Sequence, residues 1–292
     1  MRPFQSNVLR FSAWLALAAI FHSAPSTAQT RIRPGFNLFT VQQDVQVGAQ
    51  SASEIERRVP LVRSGYPAVY VERVGQRLAA QAPGADYPYR FRIANLSDVN
   101  AFALPGGYIY VHRGLIEQVR TEGELAGVIA HEIAHVALRH PTSQASKAYV
   151  TRAGFGLLGS LFGDGRQSTV GGIMNAVGGV GLNALFLKYS RNAETQADIV
   201  GAQIMARAGY DPNEMANFFA YLERQSSQRP SLFGRFLSDH PPPANRMSRV
   251  RREAQLVGAT QQSAPVGDLV EAQTWLRRLP RAPTLAQVTT GD

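Results

Sequence analysis

The sequence contains no cysteine, so neither a disulfide nor a lipid-modified cysteine is available to this protein. Lysine is scarce, with only Lys147 and Lys188, and the other basic residues are arginines. The formal net charge is +9, but no dense basic run or alternation of basic and aromatic residues occurs. This pattern argues against a nucleic-acid partner. The charge fits either a well-solvated surface or association with an anionic membrane surface.

An uninterrupted apolar run long enough to cross a membrane is also missing. The short apolar run 11–21 follows Arg2 and Arg10 and precedes the small residues at 26–28. This order is typical of a secretory signal peptide, and an uncleaved membrane anchor is the alternative. We expect residues 1–28 to be a cleaved leader and the protein to be exported to the periplasm. The leader holds no acidic residue, so the remaining chain keeps a charge of +7, which would suit a position peripheral to the outer membrane.

The remaining chain is long enough for one domain with an extension at each end. We predict an N-terminal arm over 29–40, a metallopeptidase domain over 41–253, and a tail with one helix over 254–292. Apolar periodicity and turn residues predict an α+β fold that is mostly helical. The predicted helices cover 41–59, 66–81, 121–140, 192–208 and 266–279, with a further helix beginning at 211–214; a strand covers 89–96, and a hairpin surrounds Pro105-Gly106-Gly107.

The segment 153–187 is apolar and rich in glycine. Small residues at this density allow helices to approach closely, and they also suit a hairpin that contacts a membrane. Asp164 and Arg166 interrupt the segment, which favours buried, closely packed helices over a membrane hairpin.

The stretch His131-Glu132-Ile133-Ala134-His135 has the form H-E-x-x-H. Thr121 and Glu124 form a T-x-x-E capping box that predicts the start of its helix, and Pro141 is expected to end it. Residues four apart project from nearly the same side of a helix, so His131 and His135 can bind one ion. Glu132 lies beside them, where it can act on a water molecule.

Zinc with an open catalytic position needs a third protein ligand. A third histidine six residues after His135 is excluded because that position holds Pro141. His140 lies on another side of the helix, where we expect a cation near the helix C-terminus. A second helix offers Glu194 and Asp198 in "SRNAETQAD", among small and apolar residues. Such a pair is either a solvated face or a zinc ligand with a carboxylate that orients a histidine, and the apolar surroundings favour the ligand.

Four stretches in a fixed order carry a resemblance to a known family: "NAFALPGGYIYVHRGLI", "ELAGVIAHEIAHVALRH", "SRNAETQAD" and "HPPPANR". Over about residues 41–251 the chain resembles the gluzincin metalloproteases of peptidase family M48, which include prenyl, heat-shock, mitochondrial and periplasmic proteases. The resemblance implies a zincin-like domain with a small antiparallel sheet whose edge strand borders the active-site cleft. It also implies one Zn²⁺ per chain with His131, His135 and Glu194 as ligands, Glu132 as general base, and Asp198 as an orienting or proton-handling residue.

Two further residues are candidates for the catalytic machinery. His240 and Arg246 lie in "HPPPANR", and either could donate a hydrogen bond to the oxyanion that develops during peptide hydrolysis. His240 could instead fill the fourth zinc position at rest, or be a surface histidine before a run of prolines. Departures from the family also matter, because no lipid-attachment cysteine and no following helical-repeat domain are present. These departures put outer-membrane tethering and docking to an assembly machine in doubt.

These observations predict a zinc metalloendopeptidase that hydrolyses unfolded or misassembled envelope proteins. A latent or chaperone-like zinc-binding envelope protein with little turnover is the alternative. The sequence argues against a purely structural zinc site, because such a site is closed by four ligands and would not need Glu132. The segment "NAFAL" is expected to offer an unpaired edge to which an extended substrate adds as a strand.

Overall fold

The computed structural model describes residues 29–153, 188–242, 244–258 and 264–290. The predicted leader and most of the glycine-rich segment, 154–187, lie outside this part, so the interpretations of both stay predictions. Helices dominate the described residues. The helices are α1 Val41–Arg58, α2 Tyr66–Ala79, α3 Arg113–Gln118, α4 Glu122–Ala137, α5 His140–Ala153, α6 Arg191–Arg207, α7 Asn213–Gln228, α8 Pro230–Asp239, α9 Arg246–Val257, α10 Leu269–Arg277 and α11 Leu285–Thr290.

A four-stranded sheet has the order β1-β2-β4-β3, from Leu61–Val62, Arg90–Ala94, Tyr108–His112 and Ala101–Leu104 respectively. The predicted hairpin is present: β3 and β4 are antiparallel and joined by a 3₁₀ turn at Pro105–Gly107. Gly106 has φ 74°, which glycine adopts without a Cβ penalty. The sheet was expected to be antiparallel throughout, but β2 and β4 run parallel, so it is mixed.

Helix α4 lies at the centre of the fold. All of its residues except the half-buried Gly123 are buried, and it packs against the sheet and against α2, α6 and α7. A helix that is apolar on nearly every side belongs in a core. Gly201 of α6 allows a close approach to α4, because a Cβ there would lie 3.2 Å from the backbone nitrogen of His131. This contact brings the first turn of α6 beside the histidines of α4.

A capping box was predicted at the N-terminus of α4, and one of its two hydrogen bonds is present. Thr121 Oγ1 accepts a hydrogen bond from the Glu124 amide at 3.1 Å. The Glu124 carboxylate was expected to accept from the Thr121 amide, but it accepts from the amide of Arg120 at 2.7 Å. The Arg120 guanidinium also pairs with Glu124, with Nε at 2.9 Å. Because of these two contacts, the Glu124 carboxylate bonds to the residue before Thr121, whereas in a capping box it would bond to the amide of Thr121 itself.

The end of α4 differs from the prediction. The helix ends at Ala137, Arg139 adopts a left-handed φ of 58°, and α5 begins at His140. Pro141 therefore lies in the first turn of a new helix, where its missing amide costs little. The left-handed residue is held because Arg139 Nε donates to Asp44 Oδ2 at 2.6 Å. His140 is consequently not a cation at a helix C-terminus.

Other boundaries agree with the sequence to within a few residues. Helix α6 ends before Gly209, which has φ 81°, and α7 begins after Asp211, whose Oδ1 accepts from the Asn213 amide. The tail after α10 was expected to be without helix, yet it contains α11. The carboxylate of Asp98 accepts from the Leu285 amide at 2.6 Å and so caps this short helix. Among the described helices, none is both long and apolar enough to cross a membrane.

Candidate active site

Four side chains from three helices meet in the interior of the fold. His131 and His135 come from α4, Glu194 from the first turn of α6, and His240 directly follows α8. One nitrogen or oxygen atom of each lies within 4.8 Å of the others, and all four residues are buried. The structure thus brings together residues that are separated by up to 109 positions in the sequence.

The distances among the three predicted ligands fit a zinc ion. His131 Nε2 lies 3.0 Å from His135 Nε2 and 3.3 Å from Glu194 Oε2, while His135 Nε2 lies 3.4 Å from Glu194 Oε1. Tetrahedral zinc with bonds of about 2.0–2.1 Å separates its ligand atoms by roughly 3.3–3.4 Å. Two imidazoles and one carboxylate are also the donor types of a catalytic zinc site. The residues present therefore fit this metal.

The imidazole of His240 is the fourth member of the cluster. Its Nδ1 lies 3.2 Å from Glu194 Oε1 and 3.4 Å from His131 Nε2. Its Nε2 lies 3.5 Å from Glu132 Oε1. Burial lowers the pKa of His240, but the carboxylates of Glu194 and Glu132 outweigh burial and raise the pKa above its ordinary value. The ring stacks on Phe236, with centroids 4.8 Å apart, which fixes its plane.

Glu132 follows His131 on α4. Neither of its carboxylate oxygens has a hydrogen-bond partner among the described residues, although both are buried, and His240 Nε2 at 3.5 Å from Oε1 is a charged neighbour only when protonated. Burial raises the pKa of Glu132, while His240 and His131 oppose this shift. A buried carboxylate without a partner is costly unless something binds to it, so these oxygens are positioned to accept a proton from water or substrate.

Asp198 and Arg246 hold the side chains of the cluster in position through hydrogen bonds and ion pairs. Asp198 Oδ1 lies 3.1 Å from His131 Nδ1 and accepts hydrogen bonds from Arg246 Nη2 at 2.8 Å and Nε at 3.1 Å. Arg246 Nη2 also lies 3.4 Å from Glu194 Oε2, and the guanidinium covers the face of Phe219. Because Asp198 accepts from Nδ1 of His131, the lone pair of Nε2 is directed into the cluster. Arg246 Nη1 has no partner among the described residues.

The charges of the cluster compensate one another. Burial lowers the pKa of His131, but the carboxylates of Glu194 and Asp198 outweigh it and raise the pKa to about 9. Burial alone would raise the pKa of Glu194, whereas the neighbouring His240 and His131 hold it well below its ordinary value. Burial lowers the pKa of His135 well below its ordinary value. A metal cation bound in this site would neutralise the carboxylate charge that protonated histidines otherwise neutralise.

Three residues around His135 were not identified from the sequence as part of the site: two contact His135, and the third contacts one of these two. Tyr189 stacks on the His135 ring with centroids 3.9 Å apart, His140 Nδ1 lies 2.9 Å from the Nδ1 of that ring, and Gln196 Oε1 lies 3.0 Å from His140 Nε2. His140 could have been found by reading Pro141 as a first-turn proline, since His140 then begins a second helix. Tyr189 and Gln196 carry no such signal, because their roles depend on how α6 packs against α4.

The mostly helical fold, the small sheet and the buried His–His–Glu cluster together define a zincin-like domain. The chain belongs to peptidase family M48, whose family model matches residues 67–254. This match includes His131, Glu132, His135 and Glu194, and it confirms the resemblance found in the sequence.

Individual relatives are 28–31% identical to this chain over the aligned residues. The β-barrel assembly-enhancing protease of Escherichia coli K12 is 30% identical over 224 residues, which are 74% of this chain and 44% of that protein. The mitochondrial metalloendopeptidase OMA1 of Schizosaccharomyces pombe is 31% identical over 195 residues, or 64% and 54% of the two chains. The metalloprotease YcaL of E. coli K12 is 28% identical over 185 residues, or 61% and 69%. The chain spans less than half the length of the first of these relatives.

Proposed function

We propose that this protein is a zinc-dependent metalloendopeptidase. The observation that carries the proposal is the combination of three ligand atoms at zinc-compatible distances with a buried Glu132 whose oxygens form no hydrogen bond to any described residue. A structural zinc site has no use for such a carboxylate, whereas peptide hydrolysis requires a base beside the metal. Membership in a peptidase family supports the same conclusion.

Each residue of the proposed site has a distinct role in peptide hydrolysis. When bound, zinc supplies a Lewis acid that lowers the pKa of a water molecule and polarises the peptide carbonyl. Glu132 accepts the proton of the attacking water and later donates it to the leaving amine. Asp198 accepts the Nδ1 proton of His131, and Arg246 fixes Asp198. We propose Arg246 Nη1, which has no partner among the described residues, as a donor for the developing oxyanion.

His240 fits the role of a resting-state ligand better than that of a surface residue. It is buried, and its Nδ1 lies at ligand-to-ligand distance from Glu194 and His131. In that position it would occupy the place of the attacking water. We infer that His240 closes the site at rest and moves when a substrate enters, after which its imidazole can donate to the oxyanion.

The substrate is proposed to bind along β3. This strand forms one edge of the sheet, and no described strand pairs with its outer side. It also packs against α4, the helix that carries the histidines. An extended peptide that adds to such an edge forms main-chain hydrogen bonds without a sequence requirement. Unfolded or misassembled proteins offer extended segments, and folded proteins do not, so we expect unfolded substrates.

An envelope location is proposed from the sequence and from relatives. The leader-like residues 1–28 predict export, and one group of relatives is named for β-barrel assembly. Another relative is named as mitochondrial, so the family alone does not fix a compartment. The charge of +7 on the remaining chain supports association with an anionic membrane surface. The mature protein is expected to begin at Gln29 and to leave cells when the outer membrane is disrupted; an intact Met1 would contradict export with cleavage.

A latent or chaperone-like zinc protein is the second candidate. The position of His240 is the observation that favours it, because four protein ligands would leave no place for water. The two candidates differ in turnover. A latent protein would bind unfolded chains without cleaving them, and removal of His240 would be needed to reveal hydrolysis.

The test compares cleavage of a fluorescently labelled unfolded protein by wild type, by Glu132→Gln and by wild type treated with a chelator. We expect cleavage by wild type alone, since the variant lacks the base and the chelated protein lacks the metal. Glu132→Gln should keep its zinc because Glu132 is not a ligand, whereas Glu194→Gln should lose most of it. Equal cleavage in all three samples would refute the protease, and full zinc content in Glu194→Gln would refute the ligand assignment.

A further inference from the structure

Each zinc-binding histidine has one ring nitrogen for the metal and one for the protein. For His131 the protein side is Asp198, as described above. For His135 the protein side is another imidazole, because His135 Nδ1 lies 2.9 Å from His140 Nδ1. Two ring nitrogens can form a hydrogen bond only when one carries a proton and the other does not. The direction of this bond therefore decides whether His135 can bind a metal.

Gln196 settles the direction. Its Oε1 lies 3.0 Å from His140 Nε2, and an amide oxygen can only accept. His140 Nε2 must therefore carry the proton, and a neutral His140 then has a bare Nδ1. That nitrogen accepts the proton of His135 Nδ1, and His135 Nε2 is left with a lone pair. This lone pair points into the cluster, at 3.0 Å from His131 Nε2 and 3.4 Å from Glu194 Oε1.

We propose that Gln196 and His140 form a hydrogen-bond relay that positions His135 and fixes its tautomer for zinc binding. The proposal rests on the proposed zinc site. Both relay members are positioning residues, since neither reaches the ligand atoms. The relay is built from three helices, because His135 belongs to α4, His140 begins α5, and Gln196 lies on α6 between Glu194 and Asp198.

The surroundings keep the relay in place. His140 is buried, and Tyr189 stacks on the face of His135. The first turn of α5 is tied to the N-terminal arm, since Asn37 Nδ2 donates to Thr142 Oγ1 at 2.8 Å. The left-handed Arg139 turns the chain so that His140 faces back toward α4. A residue at this position on a continuous α4 would lie on another side of the helix.

The test measures zinc affinity by competition with a chelator in purified full-length variants. His140→Leu removes the acceptor for His135, so zinc affinity should fall about 10–100-fold, as for other partners of zinc-bound histidines. His140→Asn keeps an acceptor oxygen near the position of Nδ1 and should recover much of the loss. Gln196→Leu should cost about 2–10-fold, the range of one hydrogen bond.

Gln196→Glu tests the direction of the relay. A carboxylate can only accept, so zinc affinity should equal or exceed that of wild type if His140 Nε2 donates. A large loss in Gln196→Glu with no loss in Gln196→Leu would overturn the proposed direction. Gln203→Leu is the matched control, because Gln203 also lies on α6 but bonds to Thr30 and Glu253. It should leave zinc affinity unchanged.

A second readout separates positioning from loss of stability. In cobalt-substituted protein, a reoriented His135 should shift the visible absorption bands of His140→Leu, whereas Gln203→Leu should keep the wild-type spectrum. Wild-type affinity and spectrum in His140→Leu and Gln196→Leu would overturn the relay and leave the proposed function intact. A wild type that binds no zinc would instead overturn the proposed function, and the relay with it.

Discussion

At the scale of single residues, the position of His240 leads to a prediction about activity. Its Nδ1 lies 3.2 Å from Glu194 and its Nε2 lies 3.5 Å from Glu132. One imidazole therefore stands between the metal cluster and the general base. A water molecule that attacks a peptide needs to reach both, so the proposed resting-state role requires His240 to move away before hydrolysis.

We expect His240→Ala to raise the basal cleavage of an unfolded protein, because the substitution opens the place of the attacking water. Zinc content should stay close to that of wild type, since His131, His135 and Glu194 remain. A fall in turnover of about ten- to a thousand-fold would assign His240 instead to the oxyanion. Cleavage rates together with circular dichroism would distinguish either result from unfolding. A variant with wild-type activity on several substrates would remove His240 from the mechanism.

At the scale of elements, the turn between α4 and α5 joins the site to the rest of the fold. Arg139 adopts a left-handed conformation that few residues other than glycine accept. Its guanidinium donates to Asp44 of α1 and to the carbonyl of Phe39, and Tyr87 donates to the same carboxylate at 2.6 Å. Asp44 is only 1% exposed, so its charge depends on these partners.

Arg139→Ala should destabilise the protein by about 3 kcal/mol, because it leaves a buried carboxylate without its cation. Arg58→Ala is the matched control. Arg58 pairs with Glu54 at the surface, where ion pairs contribute less than about 1 kcal/mol. Urea unfolding followed by circular dichroism measures both. Adding Asp44→Asn to Arg139→Ala should restore part of the loss, and no recovery would show that Arg139 acts through backbone conformation alone.

The edge strand β3 leads to a prediction about substrates. The His112 amide donates to the Asn100 carbonyl, so in an antiparallel pair the bonded positions alternate and Ala101 and Ala103 turn their backbone outward. The Ala101 amide is already bonded to the Asn100 side chain at 3.0 Å. A substrate strand would therefore bond mainly to Ala103.

N-methylation of a model substrate should weaken binding with a period of two residues along the peptide. Methyl groups on amides that face β3 remove a main-chain bond, whereas those on neighbouring amides face away and should have little effect. The neighbouring positions are the internal control. The measurement is KM for a series of singly methylated peptides. A series without alternation would show that the substrate does not add to β3.

At the scale of the whole molecule, a buried histidine outside the cluster links stability to pH. His112 ends β4 and is fully buried, and burial lowers its pKa to about 3. Its pKa is depressed below the ordinary 6.5, so the folded state keeps it neutral where the unfolded chain takes up a proton. Between pH 6.5 and 3 the unfolded state binds more protons, and stability falls as the pH falls.

The loss attributable to His112 should reach about 2 kcal/mol at pH 5, since each pH unit below 6.5 costs about 1.4 kcal/mol. His112→Leu should therefore lose less stability than wild type between pH 7 and pH 5. The free energy of unfolding in urea, measured at both pH values with a chelator present, tests this. The chelator keeps zinc release from contributing. Equal losses in the two proteins would show that His112 does not titrate on unfolding.

The sequence by itself determined the parts of this protein that depend on neighbours along the chain. His131, Glu132 and His135 share a helix because apolar spacing and the cap at Thr121 are local signals, and positions four apart face the same way. Glu194 and Asp198 were found for the same reason. The C-terminal ends of α1 and α6 and the start of α7 followed from proline and glycine, whose backbone preferences need no tertiary contact.

Only the tertiary structure decided which distant groups meet. The parallel pairing of β2 with β4, the left-handed Arg139 and the position of His140 beside His135 each depend on packing between elements far apart in sequence. His240 could be a surface residue or a ligand until α8 placed its Nδ1 beside Glu194. Local periodicity fixes the direction of a side chain from its own helix, but contacts across helices are fixed by how those helices pack.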